Sequence, residues 1–134
     1  MVKKILPILL ATLILTGCAP ADDQPEESFR QISMDDAIAL MADETGYIIL
    51  DVRTVGEYKE KHIPGAINIP NETIGTEEPE LLPDKEQLIL VYCRSGNRSK
   101  QAAAKLASQG YTNIVEFGGI IDWPRDTVSE LDSE

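Results

Sequence analysis

A cysteine that ends an apolar run and opens onto a short, basic, glycine-bearing loop is a candidate for sulfur chemistry. Leu88-Ile89-Leu90-Val91-Tyr92-Cys93 leads directly into Arg94-Ser95-Gly96-Asn97-Arg98-Ser99. The apolar run predicts a strand, and the Ala-rich stretch 99–109, closed by Gly110, predicts a helix. A thiol at that junction meets three effects. The helix start offers unpaired N–H groups and partial positive charge. Arg94 and Arg98 add full positive charge. Gly96 lets the backbone fold back so that successive amides converge on an anion. Such surroundings bring a cysteine pKa from roughly 8.5 to between about 3.5 and 7.5. Cys93 is therefore expected to act as a thiolate nucleophile. A free cysteine can also be a small buried hydrophobe, but a doubly basic loop is more than a core position requires.

The elements that must hold this loop alternate. Ser33 precedes Met34, Ala37, Ile38 and Met41, with Asp35 and Asp36 in the first turn, which predicts a capped amphipathic helix ending near Thr45-Gly46. Residues 47–52 form a short apolar strand of the kind buried on both faces of a parallel sheet. Residues 55–61 make one or two helical turns, and 66–69 a short strand stopped by Pro70. Residues 71–87 hold Gly75, Pro79, Pro83 and several acids, reading as surface connection with a turn at 79–82. Residues 113–117 read as another strand, Gly118-Gly119 as a turn, and 120–125 as a terminal helical turn. Helix-length segments between short strands imply right-handed βαβ units. The expected fold is one α/β domain over residues 29–130, with a mostly parallel sheet of about five strands flanked by helices.

The N-terminus reads as an address. Lys3 and Lys4 form a basic head, residues 5–15 an apolar stretch, and Thr16-Gly17-Cys18 brings small residues to a cysteine. Eleven helical residues span about 16 Å, against roughly 30 Å for a bilayer core. A cleaved signal peptide over residues 1–17 is the expectation. Leu15-Thr16-Gly17-Cys18 resembles the lipobox of bacterial lipoproteins, which implies that Cys18 is lipidated and that residues 18–28 tether an extracytoplasmic domain to a membrane surface. Cys93 is then the only thiol left, with no partner for an intramolecular disulfide.

The chain carries a formal net charge of −11. Loss of Lys3 and Lys4 takes the basic residues from 12 to 10 against 23 acids, a net −13. Such a body repels nucleic acid, and an anionic ligand needs a local positive pocket. With 43% hydrophobic residues it is neither a disordered acidic polymer nor a disulfide-stapled miniprotein. One histidine and one free cysteine are too few soft ligands for a dedicated metal site, and no cofactor is expected.

At residues 93–99 the chain resembles the active-site loop of the rhodanese (sulfurtransferase) family. Three further stretches extend the resemblance over most of residues 30–125: Asp51-Val52-Arg53 with Glu57-Tyr58; His62-Ile63-Pro64-Gly65-Ala66; and Phe117-Gly118-Gly119-Ile120 with Trp123. The resemblance implies that Cys93 takes the sulfane sulfur of thiosulfate or a similar small anion as a persulfide. That sulfur, held by the amides of residues 94–99, then passes to cyanide or a thiol. Arg94 is expected to face outward and attract the donor. Arg98 is expected to tie the loop to a carboxylate, Asp51 first and Glu57 second. Asp51 and Arg53 read as a structural ion pair rather than catalytic groups. His62 reads as the support of a turn, since a thiolate needs no base. Tyr92 and Trp123 read as packing residues. The chain is expected to be a monomer. A carrier that holds sulfur without turnover is the alternative. Cdc25-like phosphatases and arsenate reductases fit less well. Only four residues separate Cys93 from Arg98, Ser follows Arg98, and Tyr92 stands where thiol phosphatases carry a histidine.

Overall fold

The computed structural model describes residues 28–133, so the leader 1–17, Cys18 and the tether up to residue 27 lie outside the described residues. Eight regular elements follow in chain order: β1 (Phe29–Gln31), α1 (Met34–Asp43), β2 (Ile48–Asp51), α2 (Val55–Glu60), β3 (Ile67–Asn68), β4 (Ile89–Cys93), α3 (Asn97–Ser108) and β5 (Ile114–Gly119). The strands form one sheet in the order β1-β5-β4-β2-β3, every pairing parallel. This is the α/β domain with five parallel strands that the alternating pattern implies.

Side-chain alternation along the strands sorts the core into two layers. Leu50, Val91, Cys93 and Ile114 face Ala102, Ala103 and Leu106 of α3. Ile49, Leu90, Tyr92, Val115 and Phe117 face Ala37 of α1. Residues 89–93 of β4 are all buried, because β4 has a strand on each side and a helix over each face. Its carboxyl end is where the connections diverge: β4 leads through α3 to β5 on one side, and β2 leads through α2 to β3 on the other. Ligand sites of open parallel sheets lie at such a point.

Three details differ from the sequence pattern. β1 has no apolar alternation and is held by backbone pairing of Phe29, Arg30 and Gln31 with Ile114, Val115 and Glu116. Its three residues cover the edge of β5 while offering little edge of their own. The helix α3 starts at Asn97, two residues before the alanine-rich stretch, because Gly96 takes the N-cap position in a left-handed conformation at φ +111°. Gly118-Gly119 is not a turn but the end of β5, where Cys93 pairs with Gly119 after a register shift between Val91 and Cys93.

Candidate active site

Strand β4 delivers Cys93 to its carboxyl end, and residues 94–96 bend back over the sulfur before α3 begins. Cys93 is 1% exposed. Its Sγ accepts the Gly96 N–H at 3.0 Å and lies 3.4 Å from Ser99 Oγ. Burial pushes the thiol up. The Ser99 hydroxyl and the backbone amides of Ser99, Gly96 and Ser95 outweigh that, holding Cys93 below the ordinary thiol value. The loop therefore supplies the converging donors that the sequence implied, with the side chains of Arg94, Ser95 and Asn97 exposed around them.

Gly119 makes the bend sterically possible. A Cβ built there would sit 1.9 Å from Arg94 O and 2.5 Å from Ser95 N, so no side chain fits between β5 and the loop. The Ile121 N–H donates to the same Arg94 carbonyl at 3.3 Å, clamping the loop from the chain that follows β5.

Arg98 does tie the loop to a carboxylate, but that carboxylate is Glu57 and not Asp51. Arg98 Nη1 lies 2.7 Å from Glu57 Oε1 and Nη2 lies 3.0 Å from Oε2, a two-pronged pair. Asp51 is already saturated. Its carboxylate accepts the Arg53 backbone N–H at 2.9 Å, the Arg53 Nε and Nη2 (the latter at 2.6 Å), and the Tyr92 hydroxyl at 2.7 Å. Arg53, two residues away, closes a buried pair before Arg98 can compete, and also donates to Lys61 O at 2.6 Å. The Asp51–Arg53 pair thus ties the end of β2 to Lys61 and leaves Arg98 to another carboxylate.

Glu57 reaches Arg98 because α2 begins with a capping box. Glu57 N–H donates to Thr54 Oγ1 at 3.2 Å, and Glu57 Oε1 accepts the Thr54 N–H at 3.4 Å. The spacing Thr54-Val55-Gly56-Glu57 was the available signal for this placement. The Arg98 guanidinium, aided by Thr54, lowers the Glu57 carboxyl to about 2.

His62 is not brought to the sulfur. Its Nδ1 bonds Tyr58 O at 2.9 Å, its ring stacks on Tyr58 at 3.8 Å, and its backbone bridges to Val128. It supports a turn. Tyr92 does more than pack: its hydroxyl donates to Asp51 and accepts the Ile63 N–H at 3.1 Å, joining the ends of β2 and β4 to the 62–65 turn. Burial first, then Asp51, pushes this phenol up, so it stays a donor.

Glu116 is the residue that sequence reasoning missed. It is 2% exposed, and its Oε1 lies 2.6 Å from Ser99 Oγ while accepting the Gly118 N–H at 2.9 Å. The signal was present: one acid inside the apolar stretch Ile114-Val115-Glu116-Phe117.

The outer approach to the loop is a recess of about 460 Å³, lined by Arg53, Arg94 and Lys61 against Glu57 and Glu60, with Ile120 and Ile121. A larger groove of about 630 Å³ lies among Ile38, Met41 and Trp123 and includes no loop residue. The chemistry belongs with the smaller one, because Arg94 lines it. Among the described residues, no group of three His, Cys, Asp or Glu side chains could hold a metal ion.

A buried cysteine whose thiol is held below its ordinary value by loop amides, at the carboxyl end of a five-stranded parallel sheet, defines the class as an α/β domain with a sulfur site. The Rhodanese-like domain family model matches residues 33–125, and the chain belongs to that family. It is 38% identical over 73 residues to Thiosulfate sulfurtransferase PspE of Escherichia coli, covering 54% of this chain and 70% of that protein. It is also 38% identical over 86 residues to a Sulfurtransferase of Allochromatium vinosum, covering 63% and 78%. Among solved structures, a rhodanese with anions from E. coli superposes with a TM-score of 0.57 at 35% identity, over 62% of this chain and 98% of that one. A rhodanese-like domain from Anabaena gives 0.67 at 27%, over 78% and 82%.

Proposed function

We propose that this chain is a sulfurtransferase of the thiosulfate type, working through a persulfide on Cys93. The observation that carries the reading is the Cys93 sulfur held among loop amides, with the Gly96 N–H 3.0 Å away. The thiolate attacks the outer sulfur of thiosulfate, a new S–S bond forms, the old one breaks, and sulfite leaves with the bonding pair. The terminal sulfur of the persulfide is then the anion that the amides hold. Cyanide or a thiolate attacks that sulfur and regenerates Cys93 thiolate, so the kinetics are ping-pong. Two named relatives are sulfurtransferases, one of them a thiosulfate enzyme, which supports the donor class. Arg94, exposed beside Arg53 and Lys61, supplies the local positive charge that an anionic donor needs on this acidic chain. Arg98 is occupied by Glu57, which favours a sulfur-holding loop over one that clasps phosphate with its arginine.

The test is mass spectrometry of the thiosulfate-treated chain followed by a cyanide assay. The expected result is one added sulfur atom on Cys93, then many thiocyanate molecules per chain. A single stoichiometric burst indicates a carrier, and a fully active Cys93→Ala overturns both readings. We further propose that Cys18, lipidated after removal of residues 1–17, anchors the domain at an extracytoplasmic membrane surface. Labelled palmitate incorporated by the wild type and not by Cys18→Ser is the expected outcome. Equal labelling of both overturns it.

A further inference from the structure

Glu116 is a buried carboxyl group that the sulfur-transfer steps leave unused. It interrupts an otherwise apolar strand, and the alternation that turns Val115 and Phe117 toward α1 turns Glu116 toward the Cys93 face. Ser99 Oγ links Glu116 Oε1, at 2.6 Å, to Cys93 Sγ, at 3.4 Å. All three residues are at most 2% exposed.

A hydroxyl has one proton to give. The Ser99 hydroxyl has four acceptors within reach: Glu116 Oε1 at 2.6 Å, Gly96 O at 2.9 Å, and Gly118 O and Cys93 Sγ each at 3.4 Å. An ionised carboxylate at the shortest distance wins. While Glu116 is charged, Ser99 therefore donates away from the sulfur and offers it only a lone pair, which suits a thiol S–H. A thiolate needs the reverse, and it also needs the like charge on Glu116 removed, because two anions a few ångströms apart in a dry pocket repel. One shift meets both needs.

We propose that Cys93, Ser99 and Glu116 share one exchangeable proton, and that Glu116 carries it whenever Cys93 is the attacking thiolate. The S–H bond breaks as its proton passes to Ser99 Oγ, and the Ser99 O–H bond breaks as its proton passes to Glu116 Oε1. Ser99 ends with one proton, as it began, and a single negative charge moves from carboxylate to sulfur without exchange with solvent. Glu116 is thus a positioning residue of the sulfur-transfer site, and the inference rests on that reading of the site.

The other charged groups around the loop are paired among themselves or face solvent. Arg98 of α3 pairs with Glu57 of α2 and feels Glu72 after β3; Asp51 at the end of β2 pairs with Arg53 and the Tyr92 phenol of β4. Arg94 is exposed in the loop. On β1 the residue in register with Glu116 is the uncharged Gln31, and Arg30 is in register with Val115 on the opposite face.

The experiment measures Cys93 alkylation and persulfide formation against pH for the wild type, Glu116→Gln, Ser99→Ala and the double variant, with infrared spectra of the wild type. Glu116→Gln supplies the neutral partner that the reactive state already has, so the acid limb stays within about half a pH unit of the wild type or moves up, and does not move down. In the Ser99→Ala background the bridge is gone and Glu116 keeps its charge, so there the same substitution moves the limb down, by about one pH unit. The wild-type spectrum, taken where Cys93 is reactive, shows the carbonyl stretch of a protonated carboxyl that disappears on alkylation of Cys93. A limb that Glu116→Gln moves down while Ser99 is present, an equal shift with and without Ser99, or no such band overturns the shared proton. The infrared arm needs no variant, so it decides even if a substituted chain does not fold. A wild type that alkylates at Cys93 yet takes no sulfur sinks the sulfur-transfer reading alone. A chain that takes sulfur yet whose limb falls on Glu116→Gln sinks this inference alone.

Discussion

Arg98 and Glu57 stand 41 residues apart in sequence and meet as a two-pronged ion pair, at 2.7 and 3.0 Å, that fixes the first turn of α3 to the first turn of α2. The pair holds the loop from its far end while Gly119 and Ile121 hold it from below. Arg98→Lys keeps the charge and loses the fork. Sulfur transfer is expected to fall by about tenfold, the loss of about 1.4 kcal/mol of transition-state stabilisation, while the melting temperature changes little, because the pair is about one-third exposed. Paired kinetics and thermal melts check this; equal activity in the two chains removes Arg98 from the loop's support.

The same pair gives the fold a defined acid sensitivity. Glu57 is lowered from 4.5 to about 2 in the folded chain, so its contribution is fully present above pH 4.5 and is lost as pH falls toward 2. Allowing for solvent screening, the contribution is about 1 kcal/mol. Denaturant melts of the wild type and Glu57→Gln are expected to differ by that amount near neutrality and to converge between pH 4.5 and 2.

Two glycines separate steric need from helix propensity. Gly119→Ala drives a Cβ into Arg94 O, and the expected result is about 1–3 kcal/mol of lost stability with loss of persulfide formation. Gly56 lies in α2 with open space around its Cα, and Gly56→Ala should stabilise by roughly 0.5–1 kcal/mol with activity unchanged. Chemical denaturation of both variants tests the contrast.

Gly96 sets the thiol. Its left-handed backbone, φ +111°, points its N–H at Cys93 Sγ. Gly96→Ala strains that turn, weakens the donor and leaves burial less opposed. The Cys93 thiol rises, and the acid limb of its alkylation moves to higher pH. A limb that stays in place shows that the Gly96 amide does not hold the thiolate.

Tyr92→Phe removes the hydroxyl that satisfies both Asp51 and the buried Ile63 N–H. Left without a partner, that N–H makes the substitution cost about 1–3 kcal/mol. Equilibrium unfolding measures it, and a change below about 0.5 kcal/mol would show that another group takes over the bond.

The local elements and the place of the thiol at the strand–helix junction were legible in residue order alone. Ser33 caps α1 through the Asp36 N–H, the apolar run 88–93 became the central strand, and the Cys93–Ser99 segment became the amide-lined loop. These are near-neighbour effects: hydrophobic periodicity, caps and a glycine's backbone freedom act over a few residues. Which charge meets which was settled by the folded chain. Asp51 and Glu57 were both plausible partners for Arg98, and the choice came from Arg53 closing on Asp51 two residues away while the α2 capping box aimed Glu57 at the loop. Glu116 depended on the pairing of β5 with β4, where it stands in register with Val91, and on the path of α3, which together set its carboxyl against Ser99, 17 residues away in the chain. Pairings of that kind follow from how crossovers bring strand and helix ends together, and residue order does not encode them locally.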